Sequence, residues 1–405
     1  MKILKFTLLL SACLLTQTFS FAEEQQQDKD PKKSMNMDAV HSRPLSQLGT
    51  SSLSIGGYVE SHWQYYATEG VTEGHQFMMP RMTLFFSSAI SDRIKFMSEL
   101  EFEDGGSTIA IEFAAVDFEF HPLFNLRGGI IMNPIGAFNQ NHDGPKWEFA
   151  ERPVAMNRML PATWSTVGFG AYGKLAKEQW VFGYEAYLTG GFDDAIINNT
   201  LGKTYLPASK PNVARFEEMA SGQPTYTGKI AIKHRKIGEL GLSYMGGLYN
   251  NTTLDGEEVD DPRAVHIAAI DFNTEFPFGT KIIAELAHIW VDLPANYTPE
   301  YGGEQFGGFV DVIHPIYKGK LLKWENTSLN LALRAEYVDW NRGYMKDFPE
   351  TKKGEDMWSI MPGISFRPGP RTVVRFAYRF REDTDFLNNP AEKTGGFSLG
   401  FSTYF

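Results

Sequence analysis

The chain has 405 residues, a formal charge of −11, 14% aromatic residues, 38 glycines and a single cysteine. The acidic balance argues against nucleic acid as a partner and fits a cell-surface protein. One cysteine cannot build a disulfide framework, and beyond the N-terminus no apolar run approaches the ~20 residues a membrane helix needs, so a helical membrane protein is excluded.

The opening "MKILKFTLLLSACLLTQTFSFAEEQQQ" has two lysines, an apolar stretch and small residues ahead of Glu23. It reads as a secretory signal peptide over 1–22, cleaved after Ala22. Leu10-Ser11-Ala12-Cys13 also matches a lipidation box, but the apolar run continues past Cys13. Residues 23–51, with "EEQQQDKDPKK" and no periodicity, read as a mobile, polar periplasmic extension.

From 52 to 405 the pattern changes to a period of two. In "SLSIGGYVESHWQYY", Leu53, Ile55, Val59, Trp63 and Tyr65 share one face, with Tyr58, Glu60, His62 and Gln64 on the other. Met82, Leu84 and Phe86 oppose Arg81, Thr83 and Phe85; Ile230 and Ile232 oppose Lys229 and Lys233. Such alternation suits a half-buried sheet or a barrel facing lipid. Sixteen segments of this kind begin near residues 52, 77, 93, 107, 126, 164, 179, 225, 238, 264, 279, 306, 327, 357, 371 and 395.

The links between them decide between the two. Every second link is short ("SDR", "HPLFN", "AKEQ", "HRKIG", "PFG", "PGP"), whereas most of the others are long and polar. A soluble sandwich has no reason to keep that parity; an outer-membrane barrel has tight periplasmic turns and larger outer loops. The expectation is an all-β transmembrane antiparallel β-barrel of sixteen strands, within a range of fourteen to eighteen. Two links fit it poorly: "EDGG" is very short for an outer loop, and "YKGKLLKWEN" is long for a periplasmic turn. The final "GGFSLGFSTYF" places Phe397, Leu399, Phe401 and Phe405 on one strand face. Phe401 and Phe405 are expected to close the barrel against the first strand and to be read by the outer-membrane barrel assembly machinery, since an open edge in lipid strands backbone groups at several kcal/mol each.

Four stretches carry a family resemblance: "LRGGIIMNPIG", "ERPVAMNRMLPATWSTVGFGAYG", "LALRAEYVDWN" and "SIMPGISFRPGPRTVVRFAYRF". The chain resembles the phosphate-selective porin O and P family over most of the region after Ser52. The resemblance implies a sixteen-stranded, usually trimeric channel. That family's phosphate members owe their preference to dense inward arginine and lysine, and this sequence departs from that.

If the apolar faces meet lipid and lipopolysaccharide, the opposite faces line the bore. The expected pore wall comprises Arg81, Lys95, Lys229, Lys233, Arg334, Arg375 and Arg379 together with Glu60, Glu99, Glu101, Glu185, Asp271, Glu285 and Glu336. The signs nearly cancel, which predicts weak charge selectivity. A sixteen-stranded barrel is wide enough for an aqueous channel, so the long third outer loop, about 133–163, is the expected constriction. His142, Asp143, Lys146, Glu148, Glu151, Arg152 and Arg158 are its candidate eyelet residues, with a surface loop packed on a neighbouring protomer as the alternative. His142 reads as a loop hydrogen bonder rather than a pH gate.

Other apparent motifs fail on context. "GFSLG" around Ser398 matches a nucleophile elbow but lacks the strand-turn-helix corner and the later acid and histidine. The histidines are scattered with no HExxH, and "DGEEVDD" reads as a solvated acidic loop before a cation site. Asn198-Asn199-Thr200 and Asn296-Tyr297-Thr298 mark exposed polar loops. Trp63, Tyr65, Trp180, Trp290, Trp340 and Trp358 are expected in the aromatic girdles. The reading is therefore a porin, a passive homotrimeric channel for small hydrophilic solutes with no cofactor and no enzymatic activity. A phospholipase-type barrel would need a Ser-His pair at the outer rim, and a structural or adhesive barrel would have its lumen blocked by loops or by the N-terminal extension.

Overall fold

The computed structural model describes residues 34–405 apart from 296, 298–301 and 346–347. The expected signal peptide, Cys13, the first part of the extension, and Asn296 and Thr298 lie outside the described residues.

Alternating side chains and turn-forming links give sixteen strands: β1 (Leu53–Thr68), β2 (Gln76–Ser91), β3 (Ile94–Glu103), β4 (Thr108–His121), β5 (Phe124–Met132), β6 (Ser165–Lys177), β7 (Trp180–Thr189), β8 (Thr225–His234), β9 (Gly238–Leu248), β10 (Ala264–Glu275), β11 (Lys281–Val291), β12 (Glu304–Leu321), β13 (Trp324–Asp339), β14 (Asp356–Gly369), β15 (Thr372–Asp383) and β16 (Glu392–Tyr404). Consecutive strands pair antiparallel. β16 then pairs with β1, from Tyr58 opposite Tyr404 to Thr68 opposite Thr394, and closes the sheet. The Phe405 N–H extends that seam by donating to the Gly57 carbonyl at 3.0 Å. Each strand begins within three residues of the position read from the sequence. "GFSLG" lies wholly within β16, so Ser398 has no elbow around it.

Long and short links alternate as expected. One end carries short turns such as 92–93, 122–123, 178–179 and 370–371; the other carries 133–164, 190–224 and 249–263. The "EDGG" link is a single 3-10 turn at Asp104–Gly106. The "YKGKLLKWEN" stretch is a correction: β12 and β13 run through it and leave only residues 322 and 323 as a turn. Pro315 lacks an N–H to donate, and the ladder resumes beyond it through register shifts at 315/317 and 319/321.

Exposed Phe169, Ile230, Leu242, Leu286 and Leu333 belong to a continuous apolar exterior, with Trp180, Trp290 and Trp358 also exposed. Inside, the expected division into apolar and polar faces is interrupted by Met97 and Phe113 on β3 and β4, which pack on Val40, and fails on parts of β9 to β12. There Met245, Val265, Ile267, Ala287 and Ile289 point inward and are buried against Phe138, Met156 and Trp164 of the third outer loop. Trp340 corrects the girdle expectation as well, because it packs on this inner cluster and its ring N–H donates to the Arg158 carbonyl at 3.2 Å.

Residues 34–45, read from the sequence as a mobile extension, are packed inside the barrel. Met35, Met37, Ala39 and Val40 are buried. Residues 46 and 47 pair with Ile55 and Ser54 of β1, and the chain then passes inward over Gly56, where a Cβ would overlap the Pro44 carbonyl oxygen.

Candidate functional site

The third outer loop, residues 133–164, folds into the barrel and touches the wall nearly all round. Its first anchor is Gly136, at φ +64, where a Cβ would overlap the Glu285 carboxylate. That carboxylate accepts the Ala137 and Phe138 N–H groups at 2.9 and 2.8 Å. Lys229 donates to the Gly136 carbonyl at 2.7 Å and to Asp271 at 2.6 Å. The left-handed backbone and the overlap make glycine the residue that fits. Gly136→Ala is expected to cost about 1–3 kcal/mol and to loosen the loop, measured by denaturant unfolding and by protease cleavage within 133–164.

Further along, Gln140 donates to Glu185 at 3.0 Å. The His142 ring bridges the Asn139 carbonyl at 3.0 Å and Glu99 at 3.2 Å, fully buried, which is the hydrogen-bonding role read from the sequence. Asp143 accepts from the Tyr404 hydroxyl at 2.8 Å and lies 3.3 Å from Lys146. Arg375 donates to the Gly144 and Trp147 carbonyls at 2.8 Å each and lies 3.4 Å from Glu60, which is also bonded to Arg81. Glu148 pairs with Arg367 at 2.8 Å. Arg334 forms a two-pronged bond to Asp311 at 2.6 and 2.7 Å and donates to the Glu151 carbonyl at 2.8 Å, its guanidinium 4.6 Å from the centre of the Phe149 ring. Glu336 accepts the Val154 N–H at 2.8 Å and pairs with Arg379 at 3.0 Å; Arg379 also lies 3.5 Å from Glu151.

Three expected eyelet or wall residues sit elsewhere. Lys95 pairs with Glu119 at 2.7 Å near the short-turn end, because its place at the start of β3 is too far from the loop. Lys233 donates to the Ser34 carbonyl, so it faces the N-terminal segment. Arg158 is exposed and only its carbonyl is engaged in the contact to Trp340. Arg152 donates to the Ala162 carbonyl at 3.3 Å beside the Phe138 ring.

The N-terminal segment fills the complementary part of the interior, running along the wall from β10 back to β1. The Asn36 N–H donates to Glu239 at 2.9 Å, and its amide bonds Asp271 and Asn273 at 3.1 Å each. Met35 and Met37 pack on Val181 of β7. Asp38 pairs with Lys174 at 2.6 Å, and His41 meets Arg127 at 2.7 Å and Asp117 at 3.3 Å. Arg43 lies 2.8 Å from Glu99 and donates to Asp143 at 2.8 and 3.2 Å, with the Phe85 ring centre at 4.2 Å. Burial opposes ionisation of Asp143, but the Arg43 guanidinium and the Lys146 ammonium outweigh it and hold the carboxyl well below the usual carboxylate range.

The two segments meet at Arg43 and Asp143, and together they cover the mid-height wall. Glu60, Glu99 and Arg334 are 1%, 0% and 0% exposed, so protein rather than water contacts them in this conformation. Charges removed from water cost several kcal/mol each unless paired, and each of these three has an opposite partner. Above this septum Glu103, Lys210 and Glu151 remain partly exposed; below it Lys95, Lys174 and Lys146 do. Glu99, Glu101 and His142 place ligand atoms within 4.8 Å of one another. Arg43 and Arg81 already supply positive charge there, 2.8 and 3.4 Å from the carboxylates, so the cluster suits guanidinium better than a metal ion. In the acidic outer loop, Asp260 pairs with Arg263.

Sequence reasoning missed Arg43, Asn36, Asp117, Arg127 and Asp311. The last three sit on the polar face of their strands and were available to a stricter count of alternation. Arg43 carried only an indirect signal, the apolar Met35, Met37 and Val40 in an otherwise polar tract.

A protein of Aquifex aeolicus (strain VF5), itself uncharacterized, is 34% identical over 82% of this chain and 76% of its own length. The chain belongs to the family of that Aquifex protein. No family model matches it. Among solved structures it is similar to an anion-selective porin from Comamonas acidovorans, with 12% identity, a TM-score of 0.53 and coverage of 87% of this chain and 99% of that one. It is also similar to the outer-membrane channel DcaP of Acinetobacter baumannii, with 14% identity, a TM-score of 0.52 and coverage of 87% and 97%. OmpF of Salmonella typhi gives 10%, 0.51, 88% and 99%. At these identities the likeness is one of fold: this chain has the closed sixteen-stranded barrel of outer-membrane porins.

Proposed function

We propose that the protein is an outer-membrane channel of the porin type, a passive path for small hydrophilic solutes with weak charge preference, narrowed by the third outer loop. The observation that carries this reading is a closed wall, apolar outside and charged inside, with a long loop folded into its interior. Soluble monomers rarely expose contiguous apolar patches beyond a few hundred Å², whereas lipid requires both the apolar exterior and the closed edge. The anion preference of the Comamonas porin is not carried over, since carboxylates and cations are interleaved on this wall. Homotrimeric assembly, contact with lipopolysaccharide and delivery by the barrel assembly machinery belong to the same proposal, as does membership of the phosphate-selective porin O and P family.

Recording in planar lipid bilayers tests it. Stepwise currents with a reversal potential near zero in a potassium chloride gradient are expected. A bilayer left sealed by the folded barrel both with and without its interior segments would sink the channel reading, and a strong anion preference would sink the mixed-charge wall. The burial of Glu60, Glu99 and Arg334 favours a second reading, a structural or adhesive barrel with a blocked lumen, which the sealed bilayer would support.

A further inference from the structure

Several features of the segment 34–45 set it apart from an ordinary terminal arm. It lies inside the wall, it reaches strands from β10 round to β1, and its polar contacts are made chiefly to charged wall side chains. Glu239, Asp271, Lys174, Lys233 and Glu99 each bond to it. It is held to the third outer loop by one buried ion pair, Arg43 with Asp143, and by the Asn141 amide, which donates to the Asn36 carbonyl at 3.4 Å. Toward the wall it is fastened by the two-residue backbone pairing of 46 and 47 with β1 at the short-turn mouth. Its apolar payload is small: Met35, Met37 and Val40 rest on Val181, Met97 and Phe113 in two minor clusters separate from the main core. Withdrawing it would therefore expose little apolar area and would leave the barrel and the docked loop intact.

We propose that residues 34–45 are an internal plug, latched by Arg43 to Glu99 and Asp143, whose withdrawal toward the short-turn mouth opens the path between the two vestibules. The proposal rests on the channel reading above. In the latched state Arg43 bridges Glu99 of β3 and Asp143 of the third loop. When Arg43 leaves, Glu99 and Asp143 become the hydrated walls of the opening, and Glu239 loses the N–H donor that Asn36 gives it.

The test is single-channel recording of the full-length protein beside two kinds of variant, with folding checked by heat-dependent mobility of the barrel. Arg43→Ser and a chain lacking residues 34–45 are expected to show conductance or open probability several-fold above the parent. In a Cys13→Ser background, Met37→Cys with Gly183→Cys joins the plug to β7, since the Met37 sulfur lies against Gly183. Bridging the pair with a short, reductant-cleavable bifunctional thiol reagent is expected to abolish the openings, and reductant to restore them. Equal conductance in parent, deletion and Arg43→Ser proteins would overturn the plug while leaving the channel reading in place, as would undiminished current through the bridged protein. Silence from every folded variant, including one with the third loop excised, would remove the channel reading itself and the plug with it.

Discussion

Replacing residues 137–159 by a short Gly-Ser link is expected to raise the unit conductance of open channels several-fold and to admit larger solutes. The loop covers wall strands from β7 round to β1, and an unfilled sixteen-stranded barrel leaves an aqueous channel. Because Met245, Ile267, Ile289 and Phe309 would lose their apolar cover, the variant should also be less stable, at ~25 cal/mol per Å² exposed. Conductance and liposome-swelling rates for sugars of graded size check the first effect, and denaturant unfolding checks the second. Unchanged conductance would show that the loop does not limit flow.

Arg334→Ala should be the most damaging single substitution in the interior. The guanidinium is fully buried, holds both Asp311 oxygens, donates to the Glu151 backbone and lies between the Phe149 and Phe309 rings. Removing it leaves the Asp311 carboxylate buried without its partner, for which about 3–5 kcal/mol is typical. The paired change Arg334→Met with Asp311→Leu removes both charges and should recover much of that loss. Unfolding midpoints in detergent decide it: a paired variant as unstable as Arg334→Ala would place the contribution in packing on Phe149 and Phe309 rather than in the charge.

The wall was legible in the sequence because a strand writes its two faces into every second residue, and a link writes its length directly. Glu60, Glu101, Arg334 and Arg379 were placed inward on that rule, and they are. The interior was less legible, for two physical reasons. On β9 to β12 the docked loop makes the inner face apolar too, so Ile267 and Ile289 look like strand residues with no preferred side. The segment 34–45 owes its position to partners more than fifty residues away, Glu239 and Asp143 among them. Local composition reports only that it is polar. Methionines at 35 and 37, two residues apart, were the one hint of a buried surface.

The two-residue pairing of 46 and 47 with β1 has a kinetic meaning. It tethers the twelve described residues 34–45, at most ~40 Å of chain, at the rim of the opening they occupy. A tethered blocker returns to its seat at an effective concentration in the millimolar range, whatever the dilution of the protein. A solute competing for the same space therefore has to be abundant or well bound, and openings should be brief unless something outside the barrel holds the arm away.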